Sequence, residues 1–212
     1  MKRFLLVFLL VISGSLVFSA KTIPNPTTST SRELSYFAAL ITYAAYPNSD
    51  YNDYSSWKED SYAMFLTEEF LIANSHHEAD RVFYTEEERI ALLESQLDAG
   101  KDFWIISVFL RSDKYPKRNY LQIGTDDSEI TRVLMMNDDG DRILPLMEDS
   151  SYPKMGANGN YVSGTTLIFP KYTSDGKSDG KPIIHENTEW IQIWLFTSIE
   201  RICFQYDFYK QE

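Results

Sequence analysis

The segment EWIQIWLFTSIERICFQYDFY, residues 189–209, carries the clearest strand alternation in the chain. Apolar residues occupy every second position in each half, which is the pattern of a β-strand with one buried face. Residues 197–200 separate the halves and are few enough for a hairpin connection. The sequence therefore predicts two antiparallel strands, with buried faces formed by Ile191, Ile193 and Leu195 and by Ile202, Phe204, Tyr206 and Phe208.

Four more segments in the second half of the chain have the composition of strands. They are rich in β-branched and aromatic residues, and turn-forming residues bound each of them. No helical pattern lies between them, so parallel strands joined by helical crossovers are excluded and an antiparallel order is expected. Two packed sheets would bury their apolar faces, and a closed barrel is the alternative. The segments are residues 102–112 (DFWIISVFLRS), 130–136 (ITRVLMM), 142–147 (RILPLM) and 161–169 (YVSGTTLIF).

The first half of the chain has a helical pattern. In YTEEERIALLESQLDAG, residues 84–100, Thr85 can cap a helix, glutamates follow at its positive end, and Gly100 stands where a helix stops. Residues 34–47 (LSYFAALITYAAYP) fit either a helix or the first strand, and their aromatic content favours the strand. The predicted fold class is mainly β (α+β), an antiparallel β-sandwich with a helical insertion at about 53–99 after the first strand.

Residues 1–19 have the parts of a secretory signal peptide. A basic start precedes an unbroken apolar run at residues 4–12, and small residues precede a cut after Ser19. The run is shorter than the roughly 20 residues of a membrane-spanning helix, so cleavage is favoured over an anchor. Residues 20–32 are rich in Pro, Thr and Ser and predict a flexible leader. We therefore expect an exported protein, periplasmic or extracellular, with no stable membrane span after cleavage.

The charge and composition of the mature chain limit its partners. Removal of Lys2 and Arg3 takes the formal net charge from −11 to −13. Nucleic acids and anionic membranes repel such a chain, so neither is an expected partner. Hydrophobic residues make up 43% of the sequence, which excludes disorder and predicts one domain at 33–212. Cys203 is the only cysteine, so the chain has no internal disulfide.

Several strings of the chain are similar to those of one group of exported proteins. YTEEERIALLESQL stands before a strand, and an Asp-Gly turn leads to ILPL and YVSGTTLIFP ahead of the paired terminal strands. These strings resemble exported bacterial proteins of unknown function that have an immunoglobulin-like sandwich and a helical insertion. The resemblance implies that fold for most of the mature chain and carries no catalytic residue. The tandem SDGKSDGK, residues 174–181, departs from it and predicts a lengthened loop.

The stretch NDDGDRILP, residues 137–145, fits either a calcium loop or a tight turn. An EF-hand loop needs oxygen ligands at alternating positions and a glutamate at the twelfth, and neither Asp138 nor Asp139 begins such a series. Asp139 and Gly140 lie between two strand-like segments, where a type I′ turn needs residues that tolerate positive φ. The sequence therefore predicts a turn. The alternative is a calcium site built from several loops, including Asp126, Asp127 and Glu129.

No pattern in the sequence indicates a catalytic centre, a metal site or a cofactor. His76 and His77 are adjacent and point in different directions, and His185 lacks the spacing of a zinc motif. Ser163 has a glycine on one side only and does not form a nucleophile elbow. Cys203 is followed on its strand face by Gln and Asp rather than by a base. The sequence therefore predicts no enzymatic activity.

Trp190, Trp194 and Phe196 share the strand face opposite the main apolar stripe. An exposed face of this kind marks a partner or ligand site. Cover by the predicted helices is favoured, because their apolar stripe also needs a partner. The predicted function is a non-enzymatic binding or structural module of the cell envelope, with these three residues as candidate contacts to an envelope protein or ligand. A carbohydrate-active or calcium-dependent surface protein is the alternative.

Overall fold

The structure, a computed structural model, describes residues 20–28, 33–48, 61–112, 130–150, 154–155, 161–173, 180–197 and 201–210. Several segments on which predictions were made lie outside the described residues. They are the signal segment 1–19, the end of the leader at 29–32, the start of the helical insertion at 53–60, the acidic residues Asp126, Asp127 and Glu129, most of the tandem at 174–179, and the hairpin loop at 198–200.

The described residues form three helices and eleven strands, joined by turns and loops. The helices are α1 (Tyr36–Tyr43), α2 (Glu68–Val82) and α3 (Glu86–Asp102). The strands are β1 (Lys21–Pro24), β2 (Ala44–Ala45), β3 (Tyr62–Phe65), β4 (Phe103–Ser112), β5 (Ile130–Asn137), β6 (Arg142–Ile143), β7 (Met147–Ser150), β8 (Lys154–Met155), β9 (Tyr161–Pro170), β10 (Trp190–Thr197) and β11 (Arg201–Tyr209).

The described strands form two sheets. One has five strands in the order β1-β11-β10-β5-β6, and the other has the order β2-β3-β4-β9-β7 with β8 also beside β9. The pairing of β1 with β11 is parallel and the other strand pairings are antiparallel. The prediction of a mainly β chain with antiparallel sheets is therefore confirmed, and five of the predicted segments are single strands.

The segment at 142–147 is not a single strand as predicted. Arg142–Ile143 pairs with β5 in the five-stranded sheet, whereas Met147–Ser150 pairs with β9 in the six-stranded sheet. Pro145 lies between the two pairings and has no N–H for a strand ladder. The chain therefore changes sheets at a position where its composition still looks like a strand.

The two sheets share one apolar core, and Tyr206 on β11 connects them directly. Its hydroxyl donates a 2.9 Å hydrogen bond to the carbonyl oxygen of Ala63 on β3. Its ring lies edge-on to Phe65, with the ring centroids 5.7 Å apart. Burial raises the pKa of Tyr206, so the hydroxyl stays protonated and keeps donating this bond. The alternating stripe predicted for β10 and β11 is fully buried from Ile191 to Tyr206.

The prediction of a strand over 34–47 is wrong for residues 36–43, which form helix α1. Ser35 caps this helix, because its Oγ accepts a 3.3 Å hydrogen bond from the N–H of Ala38. The Tyr43 hydroxyl at the other end donates a hydrogen bond to the buried carboxylate of Glu69 on α2. A cap and a tertiary contact thus override the strand propensity of the aromatic residues, and only Ala44–Ala45 remains as strand.

Helices α2 and α3 form a hairpin between β3 and β4. The predicted cap at Thr85 is confirmed, since Thr85 and Glu88 bond each other's backbone N–H groups in a capping box. The predicted stop at Gly100 is wrong, because α3 continues to Asp102 and passes directly into β4. Gly100 instead permits close packing, since a Cβ there would lie 3.3 Å from Leu71 Cδ1. Residues 62–65 of the predicted helical insertion form strand β3 and are not helical.

The prediction of a flexible leader is wrong for residues 21–24, which form β1 against β11. The side chain of Ile23 is 0% exposed and belongs to the common core. Asn25 continues the contact, because its N–H donates a 3.0 Å hydrogen bond to the carbonyl of Tyr209. The composition of the segment favours a flexible chain. The burial of Ile23 and the backbone pairing with β11 order it as a strand instead.

We expect Ile23→Ala to lower the free energy of unfolding by about 2–4 kcal/mol, because it removes a fully buried side chain. Thr22→Ala is the matched control, since Thr22 is exposed on the same strand. Urea denaturation of both variants measures the difference. Equal stability of the two variants would show that β1 does not pack on the core.

Candidate functional site

The predicted binding residues Trp190, Trp194 and Phe196 lie on the outer face of the five-stranded sheet. Trp194 is 9% exposed, and its indole N–H donates a 3.0 Å hydrogen bond to Oε1 of Gln192. Its ring stacks on Phe196 at a centroid distance of 5.9 Å, and the guanidinium of Arg201 lies 5.7 Å from the ring centroid. Trp190 and Phe196 are partly exposed. The structure therefore places all three on one face, with Trp194 held by its neighbours.

The described helices are not what covers this face. They pack chiefly against one another and against β1, β3 and β4. Trp194 is packed instead with Leu134 and Cys203 from the adjacent strands. The assignment of Trp190, Trp194 and Phe196 as binding residues stays a prediction.

Cys203 is fully buried in this small cluster. Its side chain is 0% exposed, and burial raises the pKa of its thiol well above the usual range. The nearby Arg201 opposes this effect and does not overcome it. A thiol that stays protonated is a poor nucleophile, so the geometry gives Cys203 a packing role.

The acidic stretch at 137–141 forms a tight turn between β5 and β6. The N–H of Gly140 donates a 3.0 Å hydrogen bond to the carbonyl of Asn137, and Gly140 has φ +83°. Asp139 does not have positive φ. The turn is therefore confirmed and the type I′ geometry is wrong. A three-residue loop that ends in a left-handed glycine fits instead, which needs positive φ at one residue only.

Lys181 lies between two carboxylates of this turn. Its ammonium is 3.0 Å from Oδ2 of Asp139 and 2.8 Å from Oδ2 of Asp141. Nε2 of His185 is 3.1 Å from the same oxygen of Asp139. The hydrogen bonds from Lys181 and then His185 hold the pKa of Asp139 below its usual value. The cationic partner of these carboxylates is thus the protein's own lysine.

Backbone and side-chain hydrogen bonds attach the same turn to the segment before β10. The buried Asn137 side chain donates a 3.0 Å hydrogen bond to the carbonyl of Ile183. Oδ2 of Asp138 accepts a 3.1 Å bond from the N–H of Glu189. Within the described ranges, no group of three or more His, Cys, Asp or Glu side chains is arranged to hold a metal ion. The chemistry of the turn is that of a structural polar network.

We expect Gly140→Ala to lower the free energy of unfolding by about 1 kcal/mol, because alanine at positive φ is strained. No heavy atom lies within 4 Å of the added Cβ, so the cost is conformational and not steric. Thermal unfolding of Gly140→Ala and Gly140→Asn measures it, since asparagine tolerates this region. Equal losses in both variants would contradict the assigned geometry.

A second candidate site is the end of the α2–α3 hairpin, which exposes four apolar side chains. Phe83 is 91% exposed, and Val82, Tyr84 and Ile90 are also classed among the exposed large hydrophobic residues. We call these four residues the tip patch. Clustered exposed apolar residues on a folded protein mark interaction sites. One feature of the sequence indicates this tip, because a helix that ends directly before the capping residue Thr85 leaves room for only a tight turn.

The backbone at Phe83 is in a conformation that disfavours its side chain. Phe83 has φ 58° and ψ 43°, the left-handed region, and ends α2. The N–H of Tyr84 bonds the carbonyl of Ala79 at 3.0 Å, and that of Phe83 bonds Asp80 at 3.4 Å. This is a Schellman ending, in which glycine is the usual residue at the left-handed position. A bulky aromatic residue there costs stability and leaves its ring in solvent.

Acidic residues flank the tip patch along both helices of the hairpin. Five acids against two arginines give the hairpin end a net charge of −3 at neutral pH. Arg89 is paired with Asp80 at 2.7 Å and Arg81 with Glu78 at 2.5 Å, so both arginines are neutralised within the hairpin. The site is therefore apolar at its centre and acidic at its rim. The acids are Glu78, Asp80, Glu86, Glu87 and Glu88.

Two of the three histidines, His77 and His185, have structural contacts. His77 stacks on Tyr36 of α1, with ring centroids 4.0 Å apart and an interplanar angle of 2°. His185 bonds Asp139 as described, and its Nδ1 accepts a 3.2 Å bond from the N–H of Asn187. His76 is exposed on α2. The structure does not bring the three residues together.

Comparison with known proteins gives no assignment. No protein-family model matches the chain, and no curated protein sequence matches it at a significant level. Among the helices that the structure describes, none has both the length and the apolar character needed to cross a membrane.

We expect Phe83→Gly to raise the free energy of unfolding by about 0.5–1 kcal/mol. Relief of left-handed strain, about 1–2 kcal/mol, exceeds the entropic cost of glycine. Tyr84→Gly is the control, because Tyr84 is also exposed and has negative φ. Chemical denaturation should show opposite signs for the two variants. Destabilisation by both would show that Phe83 is not strained.

Proposed function

We propose that this protein is an exported, non-enzymatic binding module of the cell envelope that docks a partner protein through the tip patch. The basic and apolar pattern of residues 1–19 supports export, and the strings quoted above support an immunoglobulin-like arrangement of the two sheets. In this proposal the sheets are the scaffold, and the helical hairpin presents the contact surface.

The observation that carries the proposal is Phe83. It is the most exposed of the large apolar residues in the described ranges, and it occupies a backbone conformation that disfavours it. Conformational strain combined with full exposure has no folding benefit, and such outliers concentrate at functional positions. An aromatic ring on a short rigid turn is the kind of anchor that dominates protein interfaces.

Charge selects the kind of partner. The acidic rim complements a basic surface and is repelled by anionic lipid and by a second copy of this hairpin. The partner that fits is a protein with an apolar socket for an aromatic ring, bordered by Lys or Arg. Interfaces of this composition associate faster at low salt, because the charges steer the encounter.

The test replaces Phe83 with the photo-crosslinking analogue p-benzoylphenylalanine in cells that produce the full chain. Leu144 receives the same analogue as the control, since it is also an exposed apolar residue and lies on the β6–β7 connection. We expect one discrete protein adduct at position 83 and none at position 144. We further expect the purified partner to bind the original chain at least about tenfold more tightly than Phe83→Gly, a loss typical of an anchor residue.

Two results would overturn the proposal. One is the same set of adducts at positions 83 and 144, which would indicate non-specific contact. The other is equal affinity of the partner for the original chain and for Phe83→Gly. Because Phe83→Gly is expected to fold at least as well as the original chain, loss of binding in that variant is not explained by unfolding.

A further inference from the structure

A cleft lies between the helical hairpin and the edge of the sheets, away from the tip patch. Its volume is about 430 Å³, within the range of small-molecule sites. Leu66, Leu71 and Leu97 form its apolar wall, and Phe103 and Trp104 at the start of β4 form its aromatic side. Leu71 also approaches Gly100 closely, so the wall belongs to the packed contact between α2 and α3.

Two lysines, Lys101 and Lys171, line this cleft. Nζ of Lys171, just after β9, lies 4.5 Å from the centroid of the Trp104 ring. The ring itself is held by Phe65, whose centroid is 5.7 Å away in an edge-on arrangement. The ammonium is therefore positioned by a cation–π contact on a fixed ring.

Lys171 differs from the other lysine of the cleft in its partners. Lys101 is paired with Asp98 at 2.9 Å, whereas Lys171 makes no salt bridge within the described ranges. Lys171 is also half-buried, and that burial lowers its pKa. The nearby negative charges of Asp102 and Glu68 oppose this effect and do not overcome it. An ammonium that is partly desolvated and lacks an ion-pair partner interacts favourably with an added anion.

We propose that the cleft binds an amphipathic monocarboxylate, with its carboxylate on Lys171 and its apolar body against Leu66, Leu71 and Leu97. A single free ammonium matches a single negative charge. A phosphate dianion fits less well, because Glu68 at the cleft and Asp102 nearby would repel its second charge. A sugar fits less well, because the face of Trp104 that would stack on it is occupied by Lys171.

Matched probes test this proposal on the full mature chain. Decanoate and decanol share an apolar body, and only decanoate carries a charge. We expect titration calorimetry to show decanoate binding at least about tenfold more tightly than decanol, since an ion pair in a partly dry site contributes that much. Lys171→Met should reduce decanoate affinity to that of decanol, and Lys171→Arg should retain most of it.

Two controls separate binding from folding and from non-specific charge. Lys210→Met removes an exposed lysine that bonds Asn187 and does not line the cleft. We expect this variant to leave decanoate affinity unchanged. Leu97→Gln should weaken decanoate and decanol equally, since it affects the apolar wall only. The proposal is overturned if neither probe binds, if the two probes bind equally, or if Lys171→Arg loses as much affinity as Lys171→Met.

Discussion

The inward face of β11 holds the two sheets and the N-terminal segment together. Its alternating side chains fill the space between the sheets, and the Tyr206 hydroxyl bonds directly to the six-stranded sheet at Ala63. The same strand pairs with β10 on one edge and with β1 on the other, and Pro47 forms a bridge to Phe204 beside β1. One strand thus fixes the N-terminal segment, both sheets and the connection to α1.

This arrangement separates stability from the candidate binding surfaces. Helix α1 and the Tyr43–Glu69 hydrogen bond hold the base of the α2–α3 hairpin, while the opposite end projects with Phe83 exposed. The base of the hairpin also creates the cleft beside Lys171, because α3 runs directly into β4 there. The hairpin is therefore packed at its base and is strained and exposed at its end.

Local patterns could be predicted from the sequence, and long-range pairings could not. Strands β10 and β11 follow from alternation, and the Thr85 cap follows from a capping residue with glutamates directly after it, since both signals lie within a few residues. Strand β1 forms because the segment around Ile23 pairs with β11, which is far away in the sequence. No local sequence pattern indicates such a pairing. The same limit applies to α1 and to Lys171, whose position over Trp104 arises only from the pairing of β4 with β9. Phe83 was missed because its unusual φ is a property of the turn and not of its residue type.

Residue-resolved amide hydrogen exchange of the native protein tests whether β11 joins the N-terminal segment to both sheets. We expect the amides of β1 to exchange as slowly as those of β10 and β11, because all three strands open only when the shared core opens. The amides of residues 83–85 at the hairpin end should exchange faster. Exchange of β1 at the rate of an unfolded chain, with β10 and β11 still protected, would contradict the claim that β11 unites the N-terminal segment with both sheets.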